Sequence, residues 1–311
     1  MDIVVWFFLL GVVAGALRVN VGLPEAAQKC FGTFLLLAIG LKGGLYLNES
    51  GSTLSLAHCL LVIAFGAVLP LLAYPVLSRL GRLPRADAAS IAAHYGSVSI
   101  GTFAVAVAFL EQAGVSYESY AALFVVMLEI PAIVVGIWLA CRGKQTAVAP
   151  IAREMVLNPG VFALLGGLLI GVLSGPEKAE SIAPLFKTLF HGVLALYLLD
   201  LGITVAAKLK DLRPTGAFLV CFALAMPLVG AVLGGALAWF MGLSLGGATL
   251  LAVLGASASY IAAPAAMRMA VPEARPTLSI AASLGVTFPF NVVIGIPLYF
   301  AVCQALYATA L

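Results

Sequence analysis

Charged residues are scarce in this sequence. Only 9% of the 311 residues are Asp, Glu, Lys or Arg, whereas 63% are apolar, and the mean hydropathy is +1.15. A water-soluble domain carries about 25% charged residues, so this composition excludes a water-soluble protein. The net charge of +3 is too small and too scattered to indicate nucleic-acid binding. The composition predicts an all-α polytopic membrane protein, surrounded by the lipid bilayer.

Motifs for nucleotide, metal and thiol chemistry are also missing. The sequence contains no GxxxxGK[ST] loop, which excludes direct use of ATP. The five cysteines form no CxxC pair, and the histidines His58, His94 and His191 have no HExxH or other ligand spacing. We therefore expect no cofactor, and no metal beyond a transported ion.

Ten apolar stretches, each bounded by charges, Pro or Gly, predict ten membrane-spanning helices. They lie near residues 3–17, 26–47, 54–78, 88–110, 118–140, 158–173, 183–206, 215–240, 245–270 and 277–308. The first and sixth stretches are short for a helix that crosses the bilayer at right angles. The tenth is long enough to tilt, or to kink at Pro289 and Pro297.

Positive charge is distributed very unevenly between the two sides of the membrane that these ten predicted helices define. Thirteen of the sixteen Lys and Arg residues fall on one side, and only Lys42, Lys178 and Lys187 fall on the other. Positively charged loops remain in the cytoplasm. Both termini are therefore expected outside.

The two halves of the chain resemble each other, with residues 1–141 as one repeat and 158–311 as the other. Gly40-Leu41-Lys42 is matched by Gly202-Ile203-Thr204, and Pro131–Gly136 is matched by Pro289–Gly295 with one insertion. Because five helices is an odd number, the second repeat would enter the membrane inverted. Residues 142–157 would form a short cytoplasmic linker between the repeats.

The fourth and ninth predicted helices carry matching interruptions. Gly96-Ser97-Val98-Ser99-Ile100-Gly101-Thr102 interrupts the fourth, and the ninth is interrupted 160 residues later within Gly255–Pro264. A helix breaks inside the bilayer only beside protein or a polar cavity, since free backbone groups are costly in hydrocarbon. Matched interruptions in two halves indicate a transporter's substrate site. The alternative is that these small residues only let helices pack closely.

The two interruptions would expose backbone N–H groups, carbonyl oxygens and serine hydroxyls near the middle of the membrane. Helix N-termini bind anions, whereas carbonyl and hydroxyl oxygens bind hard cations such as sodium. The residues predicted to bind the substrate are Gly96, Ser97, Val98, Ser99, Gly101, Thr102, Ser257, Ala258 and Ser259. The residues predicted to bind the cation are Ser99, Thr102, Glu129, Ser259, Tyr260, Thr287 and Asn291.

Glu129 lies near the middle of the fifth predicted helix. A carboxylate is costly at that depth, so a cation-binding or gating role is the first expectation. The alternative is a structural pairing, with Lys42 or His94 as the partner. Thr287 is its counterpart in the second repeat, and Asn291 follows one turn later.

These motifs resemble those of the sodium-dependent bicarbonate permease (SbtA-type) family, in a form like that of its proteobacterial members. The similarity runs in order along essentially the whole chain. It is carried by the Asp87-led helix before Gly-Ser-x-Ser, Phe109-Leu110-Glu111, Glu129-Ile130-Pro131-Ala132, the ninth-helix series with Arg268, Pro272 and Pro276, and Gly295-Ile296-Pro297-Leu298.

The resemblance implies a ten-helix inverted-repeat fold with a core domain and a gate domain, assembled as a homotrimer. It also implies sodium-coupled bicarbonate uptake across the bacterial inner membrane, with both ions held at the two interruptions. Cyanobacterial members have an aspartate at the position of Tyr260 and a longer linker than residues 142–157. The resemblance therefore leaves open both that cation ligand and control by a PII-like regulator.

Two alternative functions remain. The same fold could transport another small anion, and labelled uptake would distinguish it from a bicarbonate transporter. The other alternative is an intramembrane serine protease, since Gly255-Ala256-Ser257 matches part of a GxSG element and His94 or His191 would have to act as its base. The final glycine of that element is replaced by Ala258.

Overall fold

The computed structural model describes residues 3–19, 21–50, 54–141, 157–208 and 216–308. Within these ranges every regular element is a helix. In chain order they are α1 (Ile3–Leu17), α2 (Glu25–Ser50), α3 (Leu56–Leu80), α4 (Arg85–Gly96), α5 (Ile100–Gln112), α6 (Ala121–Cys141), α7 (Pro159–Ala179), α8 (Ala183–Lys208), α9 (Gly216–Phe240), α10 (Leu245–Ala256), α11 (Ala262–Ala270) and α12 (Pro276–Ala308). The predicted linker, apart from Leu157, lies outside the described residues.

Eight helical stretches of the described chain are long and apolar enough to cross a membrane. They are Glu25–Glu49, Leu56–Leu80, Arg85–Gln112, Ala121–Cys141, Pro159–Ala179, Ala183–Lys208, Gly216–Phe240 and Pro276–Ala308. Helices α1 and α10 are apolar but have only 15 and 12 residues. At about 1.5 Å per residue, neither covers a hydrocarbon layer of about 30 Å alone. The count of ten, which includes these two, stays a prediction.

The helices pack in two groups. In the first, α1 packs along α8 and α2 packs along α7, with α2 and α8 also in contact. In the second, α3, α4 and α6 pack on one another, and α10 packs on α9, α5 and the last part of α12. Most buried apolar side chains of both groups form one core, and a smaller cluster lies between α4, α6 and α11.

Glycines allow the helices of the first group to approach closely. A Cβ atom at Gly167 of α7 would lie 2.6 Å from the carbonyl oxygen of Leu37 in α2. A Cβ atom at Gly11 of α1 would overlap the carbonyl oxygen of Leu199 in α8. Gly167 lies 156 residues after Gly11, and Leu199 lies 162 residues after Leu37. The same crossing therefore occurs twice, with the two halves of the chain exchanged.

A second pair of contacts follows the same rule. A Cβ atom at Gly40 would overlap the carbonyl oxygen of Leu164, and one at Gly202 would overlap that of Phe8. The two glycines are again 162 residues apart, and the two carbonyl residues are again 156 apart. The sequence similarity between residues 40–42 and 202–204 thus reflects a shared packing role.

We expect Gly167→Ala to lower the unfolding temperature and Gly166→Ala to leave it unchanged or raise it. Overpacking a close helix crossing costs about 1–3 kcal/mol, because the added methyl meets the Leu37 carbonyl. At Gly166, on the same helix, an added Cβ has no neighbour within 4 Å. Alanine there is favoured over glycine by about 1 kcal/mol in a helix. Thermal unfolding of the two purified variants in detergent measures these effects. Equal changes in unfolding temperature would contradict the close crossing of α2 and α7.

The tenth predicted helix is irregular next to its two prolines. Helix α12 contains π-helical turns at Ser283–Thr287 and Asn291–Gly295, and Pro289 and Pro297 each follow one of these turns by two residues. Proline has no N–H and leaves a carbonyl of the preceding turn unbonded, which a wider turn accommodates. The expected irregularities are present, as π-helical turns within a continuous helix.

Candidate functional site

The first interruption separates α4 from α5. Helix α4 ends at Gly96, Ser97 is extended (φ −82°, ψ 164°), and α5 begins at Ile100. Ser99 caps α5, because its Oγ accepts from the Thr102 backbone N–H at 3.2 Å and from the Thr102 hydroxyl at 2.9 Å. Serine is a preferred cap residue, so this sequence both stops one helix and starts the next.

The second interruption repeats this geometry between α10 and α11. Helix α10 ends at Ala256, and Ser257 has nearly the dihedral angles of Ser97 (φ −82°, ψ 165°). The Ser259 Oγ accepts from the Ala263 backbone N–H at 3.2 Å near the start of α11. The chain is thus interrupted at both predicted places.

The two interruptions lie against each other. The Ser99 backbone N–H donates to the Ser257 Oγ at 3.0 Å, and the Ser257 hydroxyl donates to the Leu254 carbonyl at 2.9 Å. From the other side, the Ser259 backbone N–H donates to the His94 carbonyl at 2.8 Å. Each interruption therefore satisfies backbone groups of the other, and the structure brings both serine pairs together.

Among the polar groups that are buried without a hydrogen-bond partner, two suit the binding of ions. The Ser97 hydroxyl is fully buried and unpaired, although the equivalent Ser257 hydroxyl makes two hydrogen bonds. One carboxylate oxygen of Glu129, a residue with 3% of its surface exposed, is likewise unpaired. Buried polar groups are almost always hydrogen-bonded. An unpaired hydroxyl and an unpaired carboxylate oxygen are the groups that a bound ion would satisfy.

Helix α6 carries Glu129 to the level of the first interruption. Along one face of α6, Gly136 packs against Ala93 of α4, and one turn earlier Ala132 packs against Gly96, the last residue of α4. Glu129 is the next residue on that face, three positions before Ala132. It therefore lies where α4 has already ended and the interruption begins.

The two structural partners considered for Glu129 bond elsewhere. Lys42 forms an ion pair with Glu111 at the end of α5. The His94 ring lies 2.7 Å from the Ser90 carbonyl through Nδ1, which assigns the proton to Nδ1, and its other nitrogen is buried without a partner. The alternative that Glu129 pairs with Lys42 or His94 is wrong.

Thr287 and Asn291 each lie beside one interruption and bond within the protein. The Thr287 hydroxyl donates to a carbonyl of α9 at 2.7 Å and bonds to Tyr95, the residue before Gly96, at 2.7 Å. The Asn291 amide donates to the Ala256 carbonyl, the last of α10, at 2.8 Å. Both hold a helix end in place, and their part in cation binding stays a prediction.

Tyr260 reaches from the second interruption to the first. A Cβ atom at Gly101 would lie 2.5 Å from the Tyr260 hydroxyl oxygen, so only glycine fits there. This hydroxyl is buried beside Ser99 and Tyr197 without a hydrogen bond of regular geometry. Tyr197 of α8 was not predicted; a hydroxyl within an apolar helix, three residues before Asp200, is its only signal in the sequence.

The remaining predicted residues are part of the same junction. Val98 and Ala258, the middle residues of the two serine pairs, are buried at 3% and 2% exposure. Their side chains are apolar, so only their backbone groups can contact an ion.

Two acidic residues connect the first turns of α4 and α10 to segments from the other half of the chain. Asp87, in the first turn of α4, accepts from the backbone N–H and Nε of Arg275 at 2.7 and 2.8 Å. Glu118 accepts from the Ser244 backbone N–H at the start of α10 at 2.6 Å. A carboxylate at a helix N-terminus is favourable because the helix dipole is positive there. These contacts fix the outer ends of the helices whose inner ends form the junction.

The hydrogen bonds of Ser257 give the protease alternative no support. Its hydroxyl donates to Leu254 and accepts from Ser99, whereas the His94 ring bonds to Ser90. A nucleophilic serine needs a base within hydrogen-bond reach.

Apolar helices of membrane-spanning length and two interrupted helices that meet at buried polar groups define a multi-pass membrane protein of the transporter class. Compared with known protein families, the chain matches the Na+-dependent bicarbonate transporter superfamily over residues 3–304. The chain belongs to this superfamily. A search of curated proteins found no match.

Proposed function

We propose that this protein imports bicarbonate by sodium-coupled secondary transport with alternating access. The observation that carries the proposal is the junction of the two interrupted helices, where the Ser97 hydroxyl and one oxygen of Glu129 are buried without partners. Membership of the superfamily supports both ions as the transported species.

The junction offers complementary chemistry to the two ions. The start of α5 presents the positive end of a helix dipole next to the Ser97 hydroxyl, which suits a small oxyanion. The carboxylate of Glu129 and the carbonyl oxygens at the end of α4 suit sodium, a cation that prefers oxygen ligands. Without sodium, the Glu129 carboxylate and a bound bicarbonate would bury two negative charges. With one sodium ion bound, a single net negative charge remains, which lowers the free-energy cost of burial.

The proposed architecture is ten membrane-spanning helices in two inverted repeats, 1–141 and 158–311. The support for it is the crossing of α1 with α8 and of α2 with α7, which repeats with exchanged halves. We assign these four helices to the gate domain and the remaining helices to the core domain. Alternating access then follows if the core domain, which holds the junction, moves against the gate domain.

Location and assembly complete the proposal. We assign the protein to the bacterial inner membrane with both termini outside, an orientation that the charge asymmetry supports. The family resemblance supports a homotrimer, which mass photometry of the purified protein would detect. Binding of a PII-like regulator is tested separately by adding that protein to the purified transporter.

Uptake of labelled bicarbonate into proteoliposomes is the decisive experiment. We expect uptake driven by an inward sodium gradient at constant pH, and little uptake driven by a proton gradient without sodium. Empty liposomes and liposomes with equal sodium on both sides are the controls. Sodium-driven uptake of another small anion without bicarbonate uptake would favour the alternative cargo, and uptake independent of sodium would contradict the coupling.

A further inference from the structure

Four aromatic rings from four separate segments meet beside the first interruption. They are Phe8 of α1, Tyr197 of α8, Tyr260 between α10 and α11, and Phe288 of α12. The Phe8 and Phe288 rings are in edge-to-face contact with centroids 5.6 Å apart, and the Tyr260 and Phe288 rings are 5.4 Å apart in the same geometry. Such pairs are favourable contacts that hold rings in defined positions.

This aromatic cluster covers the start of α5. A Cβ atom at Gly101 would lie 3.4 Å from the Phe288 ring and 3.5 Å from the Tyr197 ring, in addition to its overlap with the Tyr260 hydroxyl. Ser99, whose hydroxyl lies beside that of Tyr260, is two residues before Gly101. The cluster therefore lies directly on the junction.

A cavity of about 440 Å³ lies between α1, α5 and α12. Its lining includes Val5, Val105 and Val292. Each of these lies one helical turn from the cluster, since Val5 precedes Phe8 by three residues, Val105 follows Gly101 by four and Val292 follows Phe288 by four. Along α5, the rings thus lie between the cavity and the junction at Ser99.

The cluster also crosses the boundary between the two packing groups. Phe8 and Tyr197 are on α1 and α8, which pack against each other. Tyr260 follows α10 and Phe288 is on α12, and α10 and the last part of α12 pack in the second group. A displacement of one group against the other would separate the two pairs of rings. The contact that covers the junction is therefore the contact that such a movement would break.

We propose that Phe8, Tyr197, Tyr260 and Phe288 form an aromatic barrier that closes the junction off from the cavity. The barrier deepens the proposed function, on which it rests for the identity of the ions. An apolar constriction stops ions because they cannot shed their hydration there. Opening the barrier connects the cavity with Ser99 and with the start of α5.

Cysteine labelling tests the barrier without measuring transport. The background carries alanine at Cys30, Cys59, Cys141, Cys221 and Cys303, and a single reporter is introduced as Val105→Cys in the cavity or Ser99→Cys behind the rings. A negatively charged, membrane-impermeant methanethiosulfonate is added to intact cells, and separately to inverted membrane vesicles. The side on which Val105→Cys reacts defines the side to which the cavity opens.

On that side, we expect Ser99→Cys to react at least about tenfold faster when combined with Phe8→Ala than with the rings intact. Phe7→Ala, a neighbouring ring outside the cluster, is the matched control and should leave the rate unchanged. Phe288→Ala should give the same acceleration from the other packing group, which keeps the test valid if Phe8→Ala fails to fold. The rate for Val105→Cys should be the same in all these backgrounds.

Three results would overturn the barrier: rapid labelling of Ser99→Cys from that side with intact rings, no acceleration in either ring variant, or no labelling of Val105→Cys from either side. A final arm adds sodium bicarbonate to the Phe8→Ala background. If labelling is accelerated by ring removal but sodium bicarbonate does not protect Ser99→Cys, the barrier stands and the proposed function fails.

Discussion

Ser97→Ala is expected to weaken bicarbonate binding about ten- to a hundredfold while leaving the unfolding temperature of the ion-free protein unchanged. The Ser97 hydroxyl makes no hydrogen bond in the protein, so its removal deprives no other group of a partner. A hydrogen bond to a charged group contributes roughly 1.5–3 kcal/mol, which corresponds to this loss in affinity. Calorimetric titration of the purified variant with bicarbonate at fixed sodium measures the affinity.

The equivalent serine of the other half should behave in the opposite way. Ser257→Ala removes the acceptor of the buried Ser99 N–H and the donor to Leu254. An unsatisfied buried group costs about 1–3 kcal/mol, so the unfolding temperature should fall by several degrees. Ser279→Ala, in which a buried hydroxyl that bonds only to its own helix is lost, is the control for serine removal.

The contrast between the two serines is what the test depends on. Ser97 and Ser257 have the same backbone geometry but different hydrogen bonds. Full bicarbonate affinity in Ser97→Ala would show that its hydroxyl does not contact the anion. Equal losses of stability in both variants would show that Ser97 has a structural role as well.

The positions of the interruptions were predictable because local chemistry determines them. Gly96 and Ser97 end a helix, Ser99 caps the next one, and Ser257 and Ser259 repeat the pattern. These preferences act within a few residues and are therefore visible in the sequence. The matched interruptions also predicted that the two segments would meet, and their direct hydrogen bonds confirm that they do.

The partners of individual side chains were not predictable, since they depend on how distant helices pack. The pairing of Lys42 with Glu111 leaves Glu129 alone, although the sequence contains nothing that distinguishes the two carboxylates as partners of Lys42. Tyr197 is similar: its approach to Gly101 requires the packing of α8 against the core. Hydropathy places a residue in the bilayer but not opposite a particular neighbour.

The equivalence of Gly40 and Gly202 shows where prediction from a repeat stops. Their matching sequence neighbourhoods predicted matching positions. Their function, to bring Leu164 and Phe8 carbonyls into contact with the helix backbone, could be seen only when α7 and α1 were in place. Internal similarity identifies equivalent residues, whereas packing gives the reason for their equivalence.

Glu129→Gln is expected to remove the dependence of stability and of bicarbonate binding on sodium. In the wild-type protein, sodium should raise the unfolding temperature, because a ligand that binds only the folded state stabilises it. One carboxylate oxygen of Glu129 is buried without a partner, and burying such a charge is costly. The neutral amide lowers that cost, so without sodium the variant should be at least as stable as the wild type.

Two measurements separate cation binding by Glu129 from a structural role. Thermal unfolding in sodium chloride and in choline chloride at equal ionic strength should show a sodium-dependent shift in the wild type and none in Glu129→Gln. The sodium concentration for half-maximal bicarbonate uptake should rise about ten- to a hundredfold, the effect of losing roughly 1.5–3 kcal/mol of interaction with a charged group. Glu25→Gln, which changes an exposed carboxylate, should preserve both responses. A purely structural Glu129 would give the reverse: a lower unfolding temperature in choline, with the sodium shift retained.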